Sequence, residues 1–268
     1  MDLERTRRSG FGTWQLSDPE VCATCVAHAI DHGYRHIDTA VNYGNEEDVG
    51  TGIERSSVTR DELFVATKLP TGDLDAISVK PTTVASLERL GLDRVDLLYV
   101  HWPIRTYVAD ETLPAMAELV DEGIVDALGV SNFTPELLDE AMSIAGDVII
   151  AHQYEKHPYL PNREVHTTSR EHGLTSVAYS PLARGHVLDD PVIAEIAETN
   201  EVTPAQVTLA WLMHDEDVTP IPKSGRHSRI EENFAAREVS LTGDDISRID
   251  AIDKRERVVD TNEAPWRQ

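Results

Sequence analysis

YRHIDTAVNYGNE, residues 34–46, reads as a short apolar strand climbing to Asp38, a polar turn that carries Tyr43, and the start of a helix near Asn45. Strand, turn and helix recur on both sides of this stretch. Upstream, GFGTWQL (10–16) is a strand; Ser17 or Asp18 then caps a helix with Pro19 and Glu20 in its first turn, and Gly33 ends it. Downstream, ELFVATK runs to Lys68, a helix over about 80–90 carries Val84, Leu87 and Leu90 up to Gly91, and RVDLLYVHW leads to His101. A helix with Leu113, Met116, Ala117 and Val120 follows, stopped at Gly123. DALGVSN is a strand, and TPELLDEAMSIA is a helix capped by Thr134 with Pro135 in first position. VIIAHQ ends at Gln153 and precedes a helix that runs from near Asn162 to Gly173. LTSVAYS is a strand, followed by helices near 190–199 and 204–214. VTPIPKS leads into a helix from Ser228 with a capping box to Glu231, and a final helix from Thr242 buries Ile246, Ile249 and Ile252.

Short, continuously apolar strands are those of a parallel sheet covered on both faces. Eight such units without a linker predict a closed (β/α)8 barrel, one domain over residues 1–268, with a short charged segment at 1–9 and a tail at 254–268. The competing open doubly wound sheet requires a GxGxxG turn after its first strand, and none is present.

Acidic residues number 48 against 24 basic ones, a formal charge of −24, and the lysines are only Lys68, Lys80, Lys156, Lys223 and Lys254. Such a charge repels nucleic acid and anionic membranes. An acidic, lysine-poor surface suits a salt-rich cytoplasm, where screening relieves self-repulsion. Residues 1–9 lack the apolar run of a secretory signal, and no stretch is long and apolar enough to span a membrane. Cys22 and Cys25 form a CxxC; their spacing fits the inner stripe of a helix, with Val21, Val26, Ala29 and Ile30, better than a redox pair. No HxH or HExxH pair stands where it could ligate a metal, and none is expected in the reaction.

Active sites of barrels lie at the carboxyl ends of the strands. Asp38, Lys68 and His101 occupy such ends, and Tyr43 lies on a loop there. Singly, each has an ordinary reading as cap, strand end or packing residue. Together they suit proton delivery to a carbonyl oxygen: a lysine lowering the pKa of a tyrosine, an aspartate balancing the lysine, and a histidine polarising the carbonyl.

GFGTW, YRHIDTAVNYGNE, VATK, LLYVHWP, GVSNF, AYSPLARG and IPKS followed by RIEEN resemble, in order, the motifs of the aldo-keto reductases, here of a prokaryotic and halophilic type. The resemblance spans nearly the whole chain. It implies a barrel that binds a nicotinamide cofactor along its rim, with Asp38, Tyr43, Lys68 and His101 as catalytic tetrad. By the same resemblance Ser131, Asn132 and Gln153 hold the nicotinamide carboxamide, and Gly12, Thr13 and Asp38 also bind the cofactor. Tyr179 stacks on it, and Ser180 and Leu182 contact the pyrophosphate. Lys223, Ser224 and Arg229 match positions for the adenosine 2′-phosphate, with Glu232 and Asn233 near adenine, so NADPH (NADP+) is expected over NADH. Trp14 and Trp102, with Tyr43 and His101, would wall the site of a small carbonyl substrate.

Some positions depart from the pattern. Few residues precede GFGTW, fewer than the family's closing hairpin needs; Lys156 stands where an aromatic is usual; and the segments after Ser180 and Asp260 are short. The expected protein is a monomeric cytoplasmic reductase of aldehydes and ketones, without nucleic-acid or membrane partners. The alternative is a nucleotide-sensing subunit with little turnover.

Overall fold

The computed structural model describes residues 9–267; the charged segment at 1–8 and its bearing on barrel closure lie outside the described residues. Eight parallel strands pair in sequence order: β1 (Phe11–Gly12), β2 (His36–Asp38), β3 (Phe64–Leu69), β4 (Val95–Val100), β5 (Val125–Ser131), β6 (Ile149–Glu155), β7 (Thr175–Tyr179) and β8 (Val218–Pro220). Backbone bonds from Gly10 N to Pro220 O (2.9 Å) and Gly12 N to Pro222 O (3.1 Å) join the last strand to the first and close the barrel. Around it lie α1 (Pro19–His32), α2 (Glu46–Arg55), α3 (Ala76–Leu90), α4 (Ala109–Asp121), α5 (Pro135–Ala145), α6 (Arg163–Glu171), α7 (Pro191–Thr199), α8 (Pro204–Met213), α9 (His227–Ala235) and α10 (Gly243–Asp250). Among the described residues no helix is long and apolar enough to cross a membrane.

Alternation along the strands divides the core in two. Phe64, Ala66, Leu97, Tyr99, Ala127, Ala151 and Val177 fill the barrel's interior with Ile221. Ile37, Val65, Leu98, Val100, Leu128 and Val130 face the helices and pack with Val26, Ile30, Leu87 and Leu113. Gly129 is required inside: a Cβ there would stand 2.4 Å from the Tyr99 ring. On β2 and β3 the inward rows read His36, Asp38 and Phe64, Ala66, Lys68. The bottom of these rows is aromatic, with His36 and Phe64 edge-to-face at 5.1 Å. The top is charged.

Several local expectations need correction. GFGTWQL and VTPIPKS supply regular strand only at Phe11–Gly12 and Val218–Pro220; single backbone bonds of Gly10, Ile221 and Pro222 continue just beyond, and the later residues bend into rim loops. Val21 is 39 % exposed and Val84 38 % exposed, off the buried faces of α1 and α3. The capping box from Ser228 to Glu231 does not form: α9 begins at His227, Arg226 holds the cap position without a side-chain bond, and Glu231 pairs with His28. The boxes that do form include Thr203–Gln206 and Thr242–Asp245. Cys22 and Cys25 are buried free thiols; burial pushes Cys22 up to about 12 and raises Cys25, as fits inert packing residues.

Candidate active site

Asp38 and Lys68 end the inward rows of neighbouring strands, so both are buried, 1 % and 0 % exposed. Lys68 Nζ donates to Asp38 Oδ1 at 2.5 Å and to the Thr39 carbonyl at 2.6 Å, and it stands 3.5 Å from the Tyr43 hydroxyl. Asp38 Oδ2 accepts from Gln153 Nε2 at 2.7 Å. The carboxylate thereby meets two donors on its side-chain oxygens, the condition under which a buried ion pair is tolerated. Tyr43 sits in a 3-10 turn (Val41–Tyr43) closed by Gly44 at φ 67, and its ring meets His101 edge-on at 5.7 Å.

Electrostatics sharpen the roles. Burial pulls the Lys68 ammonium down, and the Asp38 carboxylate opposes it. The expected lowering of Tyr43 is reversed: burial, then the Asp38 charge, push the phenol well above its ordinary value. Tyr43 therefore keeps its proton at neutral pH. Burial and then the Lys68 charge hold His101 at about 3, so its imidazole is neutral, with Nδ1 buried and unpartnered among the described residues.

Above these groups a cavity of about 540 Å³ runs along the rim. Tyr43, His101, Trp14 and Trp102 line one part of it, Ser131, Asn132, Gln153 and Tyr179 its floor, and Ser180, Leu182, Lys223 and Arg229 the rest. Asn132 Nδ2 donates to the His101 carbonyl (2.9 Å) and to Ser131 Oγ (3.0 Å), while its Oδ1 accepts from the Tyr179 hydroxyl (2.7 Å). Lys223 and Arg229 are exposed and have no ion-pair partner among the described residues.

Other expected binding residues stand back from the cavity. Thr13 donates from both N and Oγ1 to the Asp38 carbonyl (3.0 and 3.1 Å), fixing the strand end that carries the carboxylate. Gly12 permits close approach to β8; a Cβ would fall 2.9 Å from the Ile221 oxygen. Ser224 is buried and bonds the backbone of Arg226. Asn233 is buried on α9 and Glu232 half-buried beside it.

Sequence reading missed part of the wall. Arg184, exposed and lining the cavity, lies over the Trp14 ring at 4.8 Å. Trp266 packs on Trp102 at 5.3 Å with the Arg257 guanidinium 3.9 Å from its ring centre. The tail reaches this place because the wholly buried Glu155 accepts from Val258 N (2.7 Å) and Val259 N (2.9 Å), and also pairs with His157 at 2.9 Å. A lone tryptophan in a charged tail was the one signal. Lys156, at the position where an aromatic is usual, is buried against Pro161 O (2.8 Å) and drawn down by burial to about 8, away from the cavity.

The chain matches the family model described as "Aldo/keto reductase family" over residues 8–254. It is 40 % identical over 251 residues to an aldo-keto reductase of Mycolicibacterium vanbaalenii, covering 92 % of this chain and 88 % of the relative. It is 39 % identical over 253 residues to a methylglyoxal reductase of Escherichia coli O157:H7, covering 93 % and 94 %. Among solved structures, an aldose reductase from Giardia lamblia superposes with a TM-score of 0.89 at 31 % identity, covering 94 % of each chain. A putative 2,5-diketo-D-gluconic acid reductase B superposes at 0.90 and 32 % identity, covering 95 % and 91 %. Barrel and relatives agree, and the chain belongs to the aldo/keto reductase family as a nicotinamide-dependent oxidoreductase.

Proposed function

We propose that the protein reduces small aldehydes and ketones with NADPH, reversibly, and that Asp38, Tyr43, Lys68 and His101 perform the proton chemistry. The observation that carries this reading is the placement of Lys68 Nζ between Asp38 and the Tyr43 hydroxyl beneath the rim cavity. The donor set suits the cofactor: amide and hydroxyl side chains for a carboxamide, the flat Tyr179 ring for a pyridine, and two unpaired cations for a phosphate.

Bound NADPH supplies the hydride to the carbonyl carbon. Tyr43 holds the matching proton on its hydroxyl and gives it to the carbonyl oxygen. The Lys68 ammonium stabilises the phenolate left behind, and Asp38 keeps that lysine charged in its buried position. Neutral His101 donates to the oxygen as negative charge develops there, without competing as the acid. Trp14 and Trp102 give the carbonyl an apolar wall. Lys223 and Arg229 favour the 2′-phosphate of NADPH over NADH. The −24 charge and the scarcity of lysine support a monomer working in a salt-rich cytoplasm.

The test is NADPH oxidation by small aldehydes, methylglyoxal among them, with Tyr43→Phe and Arg229→Ala as variants. Tyr43-dependent turnover is expected, with KM for NADPH raised about tenfold or more in Arg229→Ala and KM for NADH unmoved. Tight NADPH binding without turnover would replace this reading with nucleotide sensing.

A further inference from the structure

On the flank of the barrel, away from the rim cavity, α1 and α9 bring two pairs of side chains face to face. His28 and His32 stand four residues apart on α1, and His227 and Glu231 stand four apart on α9. Residues at that spacing share one helical face, the arrangement by which two histidines of one helix chelate a metal. The ligand atoms of His28, His32 and Glu231 all lie within 4.8 Å of one another. His28 Nε2 is 3.0 Å from Glu231 Oε1, and the His227 ring lies parallel on His28 with centres 4.0 Å apart.

We propose that His28, His32 and Glu231 form a binding site for one divalent transition-metal ion of the zinc class, with water completing its coordination. Two imidazoles and a carboxylate are a competent zinc donor set, at about 2.0–2.2 Å from the metal. Ligands of a tetrahedral ion stand about 3.3 Å apart, so the cluster needs to draw in by roughly 1–1.5 Å at most. Half-buried or exposed side chains achieve this by rotamer adjustment alone, since the helix backbones are already fixed. Phe234 of α9 packs on Gly33, where a Cβ would fall 2.6 Å from its ring, and on Tyr34 at 4.9 Å. His227 buttresses His28 and restricts its rotamers. The surrounding negative field draws cations in, and imidazole selects zinc-class ions over magnesium or calcium, which prefer oxygen.

The position gives such an ion a structural consequence. α1 follows the first strand and α9 follows the last, so the ion bridges the seam where the barrel closes. α9 also carries Arg229. The site is independent of the reductase reading, and its test uses no substrate.

Chelator-treated protein is titrated with Zn2+ by calorimetry, and with Co2+ by visible absorption. One ion per chain is expected, with a Co2+ ligand-field spectrum that magnesium does not displace and a rise in Tm at saturating Zn2+. His32→Ala and Glu231→Gln should each weaken Zn2+ binding tenfold or more and abolish the rise in Tm, while the metal-free variants keep the circular dichroism of the parent. Absence of stoichiometric binding in the parent overturns the proposal. So does unchanged affinity in both variants, which would locate the ion elsewhere.

Discussion

The two ends of the barrel turn the chain in opposite ways. At the amino ends of the strands, five helix-to-strand turns pass through positive φ on glycine: Gly33, Gly91, Gly123, Gly146 and Gly173. Glycine takes that conformation without a steric penalty, and these turns carry no chemistry. At the carboxyl ends Gly44 and Gly185 also take positive φ, but seven of the eight described non-glycine residues with positive φ lie in strand-to-helix loops as well: Gln15, Arg105, Asn132, Asn162, Ser180, Ala183 and Arg184. Here the chain accepts a cost in order to keep side chains, several of which line the cavity. One end is built for relaxed turning and the other for presenting groups, so substitutions at the two ends should separate stability from activity.

The largest effect is expected at the rim. Tyr43→Phe should lower kcat/KM by about 10²–10⁴-fold while leaving Tm nearly unmoved, since the hydroxyl lies 3.5 Å from its lysine and anchors no core. Paired steady-state kinetics and thermal melts read both quantities; a large loss of Tm would erase the distinction. Lys68→Met crosses the boundary, because it leaves Asp38 buried without its cation. Denaturant unfolding should show a loss of about 3–5 kcal/mol in addition to lost turnover.

A histidine near each end extends the comparison to pH. Burial holds His36, in the lower layer, at about 4 and His101, at the rim, at about 3. Both are depressed below the ordinary value near 6.5, so the unfolded chain binds more protons in between. Their contribution to stability is complete above about pH 6.5 and is lost as pH falls toward 4 and then 3. Tm measured from pH 7 to 4 should decline, and His36→Gln should shallow that slope by up to about one proton. An identical slope in the variant would remove His36 from the account.

Smaller effects test the turns themselves. Gly91→Ala, at φ 65 with open space around its Cβ, should cost about 1 kcal/mol by chemical denaturation and leave kcat unchanged. Arg184→Gly, at φ 54, should leave Tm unchanged or slightly raised while increasing KM. A lower Tm with unaltered KM would invert the proposed division. Added salt should raise Tm in all of these proteins alike, because screening acts on the whole −24 charge.

The barrel was legible because its signals are local. The short apolar strand runs, caps such as Asp18 and Thr134, and the glycine stops all lie within a few residues of the elements they define. Asp38, Lys68 and His101 were legible for the same reason, since Asp38 ends its strand, Lys68 is the last but one residue of its strand and His101 directly follows its own. What stayed hidden depends on partners far apart in sequence. Trp266 meets Trp102 where Glu155 latches the tail and Arg105 pairs with Glu263, and Glu231 serves His28 rather than a helix cap because α9 docks on α1. The protonation of Tyr43 was misread because motif logic counts the neighbouring lysine and not the desolvation around the ring.

The two cysteines have a practical consequence for chemical labelling. Cys22 and Cys25 are the chain's only thiols, and both are buried, with burial raising them away from the reactive thiolate. The native fold is in effect silent to maleimides. A cysteine introduced at exposed Asn42, on the cavity's edge, would be the single reactive handle, and a fluorophore there would report ligand arrival without first stripping the protein of its own sulfur.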